Sequence, residues 1–177
     1  IFLPFLLGER APFIDNKIKA TFFGINRDSK KEDFTTAVFE STAFVTNDLI
    51  SLIQNEGVLV KSLSVSGGLA RFDTINQIKS DVTNLPVKVV TNFESTSLGA
   101  LILLRVSLGN FSSVNDAAAN LVSIRKTIYP NKANVEIYAE MFDLYKEMTK
   151  LSMNIANAHS KLINKMERFT TTTLRNL

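Results

Sequence analysis

Ala20-Thr21-Phe22-Phe23-Gly24-Ile25 is followed, after seven residues, by Asp33-Phe34-Thr35-Thr36-Ala37-Val38-Phe39-Glu40. Gly24 permits a backbone turn or a close approach that a side chain would block. Lys30-Lys31-Glu32-Asp33 supplies a polar, partly acidic helix entry. From Phe34 onward, Phe34, Val38, Val45, Leu49 and Leu52 recur at helical spacing, while Phe39, Phe44 and Ile50 fill a second face. The spacing predicts a helix over residues 31–54, apolar on more than one side and therefore covered on more than one side. It stops near Asn55-Glu56-Gly57, where glycine suits a C-terminal cap.

Working outward, residues 2–7 read as a strand and residues 8–16 as an irregular loop punctuated by Pro12 and Asn16. Residues 61–66 alternate and end at Gly67-Gly68, a strand followed by a tight turn. Phe72, Ile75, Ile78 and Val82 mark an amphipathic helix that Asn84-Leu85-Pro86 ends, and residues 87–90 form a short buried strand. Glu94-Ser95-Thr96 then caps a helix over residues 97–108 that leaves almost no polar face, with Gly99 and Ala100 open to close packing. Helices over residues 114–121 and 134–166 follow, and residues 170–177 lack periodicity and read as a frayed tail. Alternating strands and helices imply an α/β layered fold with a partly parallel sheet.

At 177 residues the chain is long enough for one core without disulfides or a structural metal. It has no cysteine, which removes disulfide scaffolds, thiol nucleophiles and Cys-ligated zinc and agrees with a reducing, cytoplasmic setting. Twenty basic and 17 acidic residues are interspersed, so the formal charge of +3 does not point to nucleic acid. The apolar opening, residues 1–7, is far short of the roughly 20 residues a membrane span needs. An opening in mid-strand with Ile1 reads as a piece of a longer protein whose N-terminal portion is missing here.

For chemistry, the strongest candidate is Ser64-Val65-Ser66-Gly67-Gly68-Leu69-Ala70-Arg71-Phe72-Asp73. A strand that ends in two glycines and turns into a helix frees backbone N–H groups and lets the main chain approach an anionic or nucleotide ligand. Alone, such a pair is more often just a tight turn. Neither Gly-x-x-x-x-Gly-Lys-(Ser/Thr) nor Gly-x-Gly-x-x-Gly occurs. The single histidine, His159, sits among polar residues of the last helix and reads as solvated. Tyr138, Phe142 and Tyr145 have the spacing of a packing face.

The opening stretch resembles the second signature of the FGGY carbohydrate kinases: small residue, aromatic, Gly and aliphatic, then an apolar helix reaching a carboxylate. Lys79-Ser80-Asp81-Val82 with Leu85-Pro86-Val87, and Glu94-Ser95-Thr96-Ser97-Leu98-Gly99-Ala100, follow at family-like spacing. The resemblance covers residue 2 to about residue 148 and implies residues 1–168 to be the C-terminal lobe of a two-lobed, ribonuclease-H-like and actin-like ATPase. In that family the Gly-Gly turn lies against the adenosine of ATP. It therefore nominates Gly67 and Gly68 for backbone contact, with Phe72 and Asp73 beside the adenine. Glycerol kinases place an Asn where Phe72 falls, and this departure implies apolar packing in place of an adenine hydrogen bond.

Gly8-Glu9-Arg10-Ala11-Pro12 is similar to gluconokinases and xylulokinases more than to glycerol kinases. Glu9 and Arg10 either organise a cleft edge, bridge the two lobes or form a local surface pair, which contributes little stability. The resemblance implies ATP and Mg2+ as cofactors, a sugar, polyol or aldonate as substrate, and a catalytic Asp upstream of this chain. None of Asp15, Asp28, Asp73 or Asp81 is assigned as base, and the chain alone is expected not to turn over. An exposed lobe surface is compatible with homo-oligomer formation. A noncatalytic actin-like nucleotide- or protein-binding module, or an unrelated α/β interaction domain, remains an alternative on these residues.

Overall fold

A computed structural model describes residues 1–175, with the side chains of residue 164 and residues 167–175 outside the described set. The chain divides into two compact units. The first unit comprises residues 1–52 and 139–177, and the second residues 53–138.

In the first unit, β1 (Phe2–Leu3) pairs antiparallel with β2 (Thr21–Phe22). The strand expected over residues 2–7 is thus only two residues long. Phe2 and Phe22 stack at 4.3 Å, and Phe22 meets Phe34 edge-on at 5.2 Å. Phe34 belongs to α1 (Lys31–Asn55), the helix expected from the opening stretch. Asp33 accepts a hydrogen bond from the Lys30 N–H at 2.8 Å, satisfying one donor at the helix entry. Ala37, Ser41, Ala43, Phe44 and Ile50 give α1 a buried face, whereas Val38 and Leu52 are exposed among the described residues. The all-round cover expected for this helix is partial.

The long helix α5 (Lys132–Arg175) contributes Phe142, Tyr145 and Met148 to the same core. Phe44 lies 5.2 Å from Tyr145 and 6.1 Å from Phe142, an aromatic cluster of the kind that adds to area burial. Burial pushes the Tyr145 phenol well above its ordinary range, and the nearby Asp48 charge adds to this. Burial likewise raises the Asp48 carboxyl, while Lys146 pulls it the other way. The helix runs through the stretch expected as a frayed tail as far as Arg175, and residues 176–177 lie outside the described residues.

In the second unit, β3 (Leu63–Val65), β4 (Val87–Val90) and β5 (Ile124–Ile128) form a sheet in the order β3-β4-β5. β3 and β4 run parallel, joined through α2 (Asp73–Thr83), while β5 is antiparallel to β4. Val87, Val89 and Val90 are buried because β4 is paired on both edges. α2 buries Ile75 and Val82 and ends where Asn84 turns left-handed (φ 50°), a conformation Asn tolerates better than most residues. Phe72, expected on the same apolar face, precedes the helix and is 58% exposed.

Asp81 on α2 is buried and fully engaged: it accepts from the Asn131 N–H at 2.7 Å, Asn134 Nδ2 at 2.8 Å and Gln77 Nε2 at 2.8 Å. Its carboxylate holds the segment that opens α5. α3 (Ser95–Ser107) packs against α4 (Val114–Leu121), which buries Ala117. Of the α3 residues only Ile102 is buried; Leu101, Leu103 and Leu104 face solvent among the described residues. The burial expected of its apolar sequence is not reached, and a Cβ on Gly99 would meet nothing within 4 Å. The close packing expected at that glycine is therefore absent among the described residues. β5 was not anticipated from sequence. No described helix is long and apolar enough to cross a membrane.

Candidate nucleotide site

β3 ends at Val65, and the chain turns through Gly67 into a short 3-10 turn, Gly68–Arg71, before α2 begins. Gly67 has φ 84° and ψ −177°, a backbone region that is essentially reserved for glycine. Its N–H donates to the Phe93 carbonyl at 3.0 Å, and its carbonyl accepts from the Ala70 N–H at 3.2 Å. From below, the buried Asn76 donates Nδ2 to the Ala70 carbonyl at 2.8 Å. The Asn76 Oδ1 is buried without a partner among the described residues. The turn is therefore pinned at its start, middle and underside.

Its outer surface is bare. A Cβ added to Gly67 or Gly68 would meet nothing within 4 Å. The first N–H groups of a helical turn have no acceptor within it, which applies to Gly68 and Leu69 at the start of this one. Leu69 is 45% exposed and Phe72 lies on the same turn. The result is a main-chain shelf with apolar flanks, suited to a flat heterocycle and unhindered by its own side chains.

Asp73, the fourth nominated residue, begins α2 and forms ion pairs with Lys126 and, at 3.5 Å, with Arg125, both on β5. The Lys126 hydrogen bond chiefly holds the Asp73 carboxyl below its ordinary range. Arg71 pairs with Glu94 at 3.3 Å. The guanidinium carbons of Arg71 and Arg125 each lie 5.4 Å from the centre of the Phe93 ring. Exposed contacts of these kinds are screened by solvent and hold their partners only weakly. Glu94 therefore does not act as the side-chain cap expected for α3: it makes no capping hydrogen bond, and its carboxylate turns to Arg71 instead. Thr96 is exposed in the first turn of α3.

Sequence reasoning nominated Gly67, Gly68, Phe72 and Asp73, and the fold gathers all four on one turn and the helix start after it. It missed Arg71, Phe93, Arg125 and Lys126. Arg71 stood within the turn already singled out, whereas Arg125 and Lys126 depended on recognising β5.

The other marked positions are spent elsewhere. Glu9 Oε1 accepts from the N–H groups of Arg10 at 2.7 Å and Ala11 at 3.3 Å, so this carboxylate organises its own loop. The signature residues Phe22, Gly24, Ile25, Asp33 and Phe34 line a recess of about 80 Å³, far below the roughly 300 Å³ at which small-molecule pockets begin. His159 is exposed on α5, and no cluster of three or more metal-ligating side chains occurs among the described residues.

The profile for "FGGY family of carbohydrate kinases, C-terminal domain" matches residues 1–108. The chain belongs to the FGGY family of carbohydrate kinases. It is 30% identical over 148 residues to the xylulose kinase of Bacillus subtilis, an alignment covering 84% of this chain and 30% of that one. Among solved structures, a ligand-bound xylulose kinase from Lactobacillus acidophilus superposes with a TM-score of 0.78 at 29% identity. A gluconate kinase from the same organism superposes with a TM-score of 0.77, also at 29%. Each of these two matches covers 92% of this chain and 32% of the other. The FGGY chain described here thus spans about a third of the length of these relatives, and its mixed sheet with flanking helices is the α/β arrangement of the C-terminal part of a sugar kinase.

Proposed function

We propose that this chain is the ATP-binding C-terminal lobe, residues 1–168, of a cytoplasmic kinase that phosphorylates a sugar, polyol or aldonate of the gluconate or xylulose type. The observation that carries the reading is the pinned, uncrowded turn at Gly67 and Gly68 within a chain of this family. In this reading the lobe has the ribonuclease-H-like, actin-like ATPase topology, and Gly67, Gly68 and Phe72 seat the adenosine. Asp73 acts beside it by anchoring Arg125 and Lys126.

Phosphoryl transfer asks little covalent chemistry of the protein; positioning and charge neutralisation dominate. A substrate hydroxyl attacks the γ-phosphorus, the bond to the β,γ-bridging oxygen breaks, and a carboxylate takes the hydroxyl proton. That carboxylate lies outside this chain in our reading, as the family resemblance implies; of the carboxylates near the turn, Asp81 is buried under three donors and Asp73 is committed to two cations. The described residues do not assemble a ligand set for Mg2+. The ion enters this reading only as the partner of the triphosphate.

The test is Gly68→Val in the full-length kinase, assayed against gluconate, xylulose and glycerol. The variant is expected to raise KM for ATP by about tenfold or more while leaving KM for the sugar within about twofold, because the valine fills space where nothing of the chain lies. Equal loss of both would remove the nucleotide from this turn. Absence of any phosphorylation by the intact wild-type protein would favour a noncatalytic nucleotide-binding module.

A further inference from the structure

Resting on the nucleotide reading of the shelf, the ion network around Phe93 says which group meets the phosphates. Gly67 and Gly68 offer main chain without formal charge, so a polyphosphate seated there needs a cation from elsewhere. Three stand close in the fold: Arg71 in the same turn, and Arg125 and Lys126 on β5.

They are not equivalent. Arg125 and Lys126 share the single carboxylate of Asp73 on the next helix, and Arg125 also lies over the Phe93 ring, whereas Arg71 belongs to the turn itself. Arg71 has one exposed ion pair, 3.3 Å from Glu94, with side chains 57% and 73% exposed, and one aromatic contact with Phe93. An exposed guanidinium on a single oxygen is readily exchanged, and phosphate offers it a bidentate, more highly charged partner. The Gly67 N–H bond to the Phe93 carbonyl keeps this resting place directly against the shelf.

We propose that Arg71 is the phosphate-binding cation of the nucleotide shelf, parked on Glu94 and Phe93 in the empty site and transferred to a nucleotide phosphate on binding. Glu94 is then a competitor for Arg71 and a negative charge facing the phosphates. Removing the cation and removing its competitor must therefore act with opposite signs.

The experiment titrates the isotopically labelled full-length kinase with ATP and, separately, with adenosine, following the amide resonances of Gly67 and Gly68. Arg71→Ala is expected to weaken ATP by about tenfold and to leave adenosine within about twofold, since adenosine has no phosphate. Arg71→Lys keeps part of the ATP affinity. Glu94→Gln is expected to tighten ATP by about two- to threefold with adenosine unchanged.

The inference is overturned if Arg71→Ala leaves ATP unaffected or weakens ATP and adenosine equally, which is the pattern of a merely structural residue. It is also overturned if Glu94→Gln weakens ATP as Arg71→Ala does. Failure of the underlying reading looks different: neither ligand then moves the Gly67 and Gly68 resonances of the wild-type kinase at millimolar concentrations. Adenosine binding without any gain from the phosphates sinks the Arg71 assignment alone.

Discussion

Gly8 and Gly67 share a positive φ, 80° and 84°, yet they sit in opposite surroundings. A Cβ on Gly8 would lie 2.6 Å from both the Asn16 Cα and the Asp15 carbonyl oxygen. The same atom on Gly67 would meet nothing within 4 Å. At Gly8 two stretches of one loop close on each other, locked by reciprocal Glu9 and Asp15 backbone bonds of 2.8 and 3.0 Å. At Gly67 and Gly68 the empty side faces away from the chain. A tight glycine against its own backbone serves the fold, whereas a pinned glycine with open space before it leaves room for a visitor.

The contrast breaks most easily at Gly8. Gly8→Ala combines left-handed strain with a clash against main chain that no rotamer change relieves, and it should cost about 3 kcal/mol or more. Urea unfolding of the wild type and the variant measures this directly. Gly67→Ala carries only the backbone term, because the added methyl finds space, and should cost about 1–2 kcal/mol. A loss at Gly67 as large as that at Gly8 would mean that the shelf is crowded after all.

How much of this was legible beforehand differs between the two regions. The helix after Gly24, the glycine-ended strand, α2 and β4 were all readable, because their hydrophobic periods are strong and Asn84-Leu85-Pro86 and Gly67-Gly68 punctuate them. β5 was not: Ile124-Arg125-Lys126-Thr127-Ile128 places two cations at its centre and exposes Ile124, as an edge strand with only one partner allows. Missing β5 hid the partners of Asp73. The apolar run of α3 misled in the other direction, since hydrophobic composition signals a need for cover without saying whether the described residues supply it. Nor does sequence separate Gly8 from Gly67; both follow a strand-like stretch, and only the backbone on the far side of the loop tells them apart.

Gly68→Ala has the smallest expected effect on the fold and sharpens the comparison furthest. Gly68 lies outside the left-handed region, at the start of a 3-10 turn, and its missing side chain points into open space. Alanine fits that conformation and lowers the entropy of the unfolded chain, so stability should rise by about 0.5 kcal/mol. A position at which alanine is better for folding has no structural reason to be glycine. If urea unfolding gives that small gain while ATP binding weakens by about threefold or more, the glycine is explained by what approaches it. Stability falling by as much as at Gly67 would instead make the pair a turn and nothing further, because the backbone alone would then demand both residues.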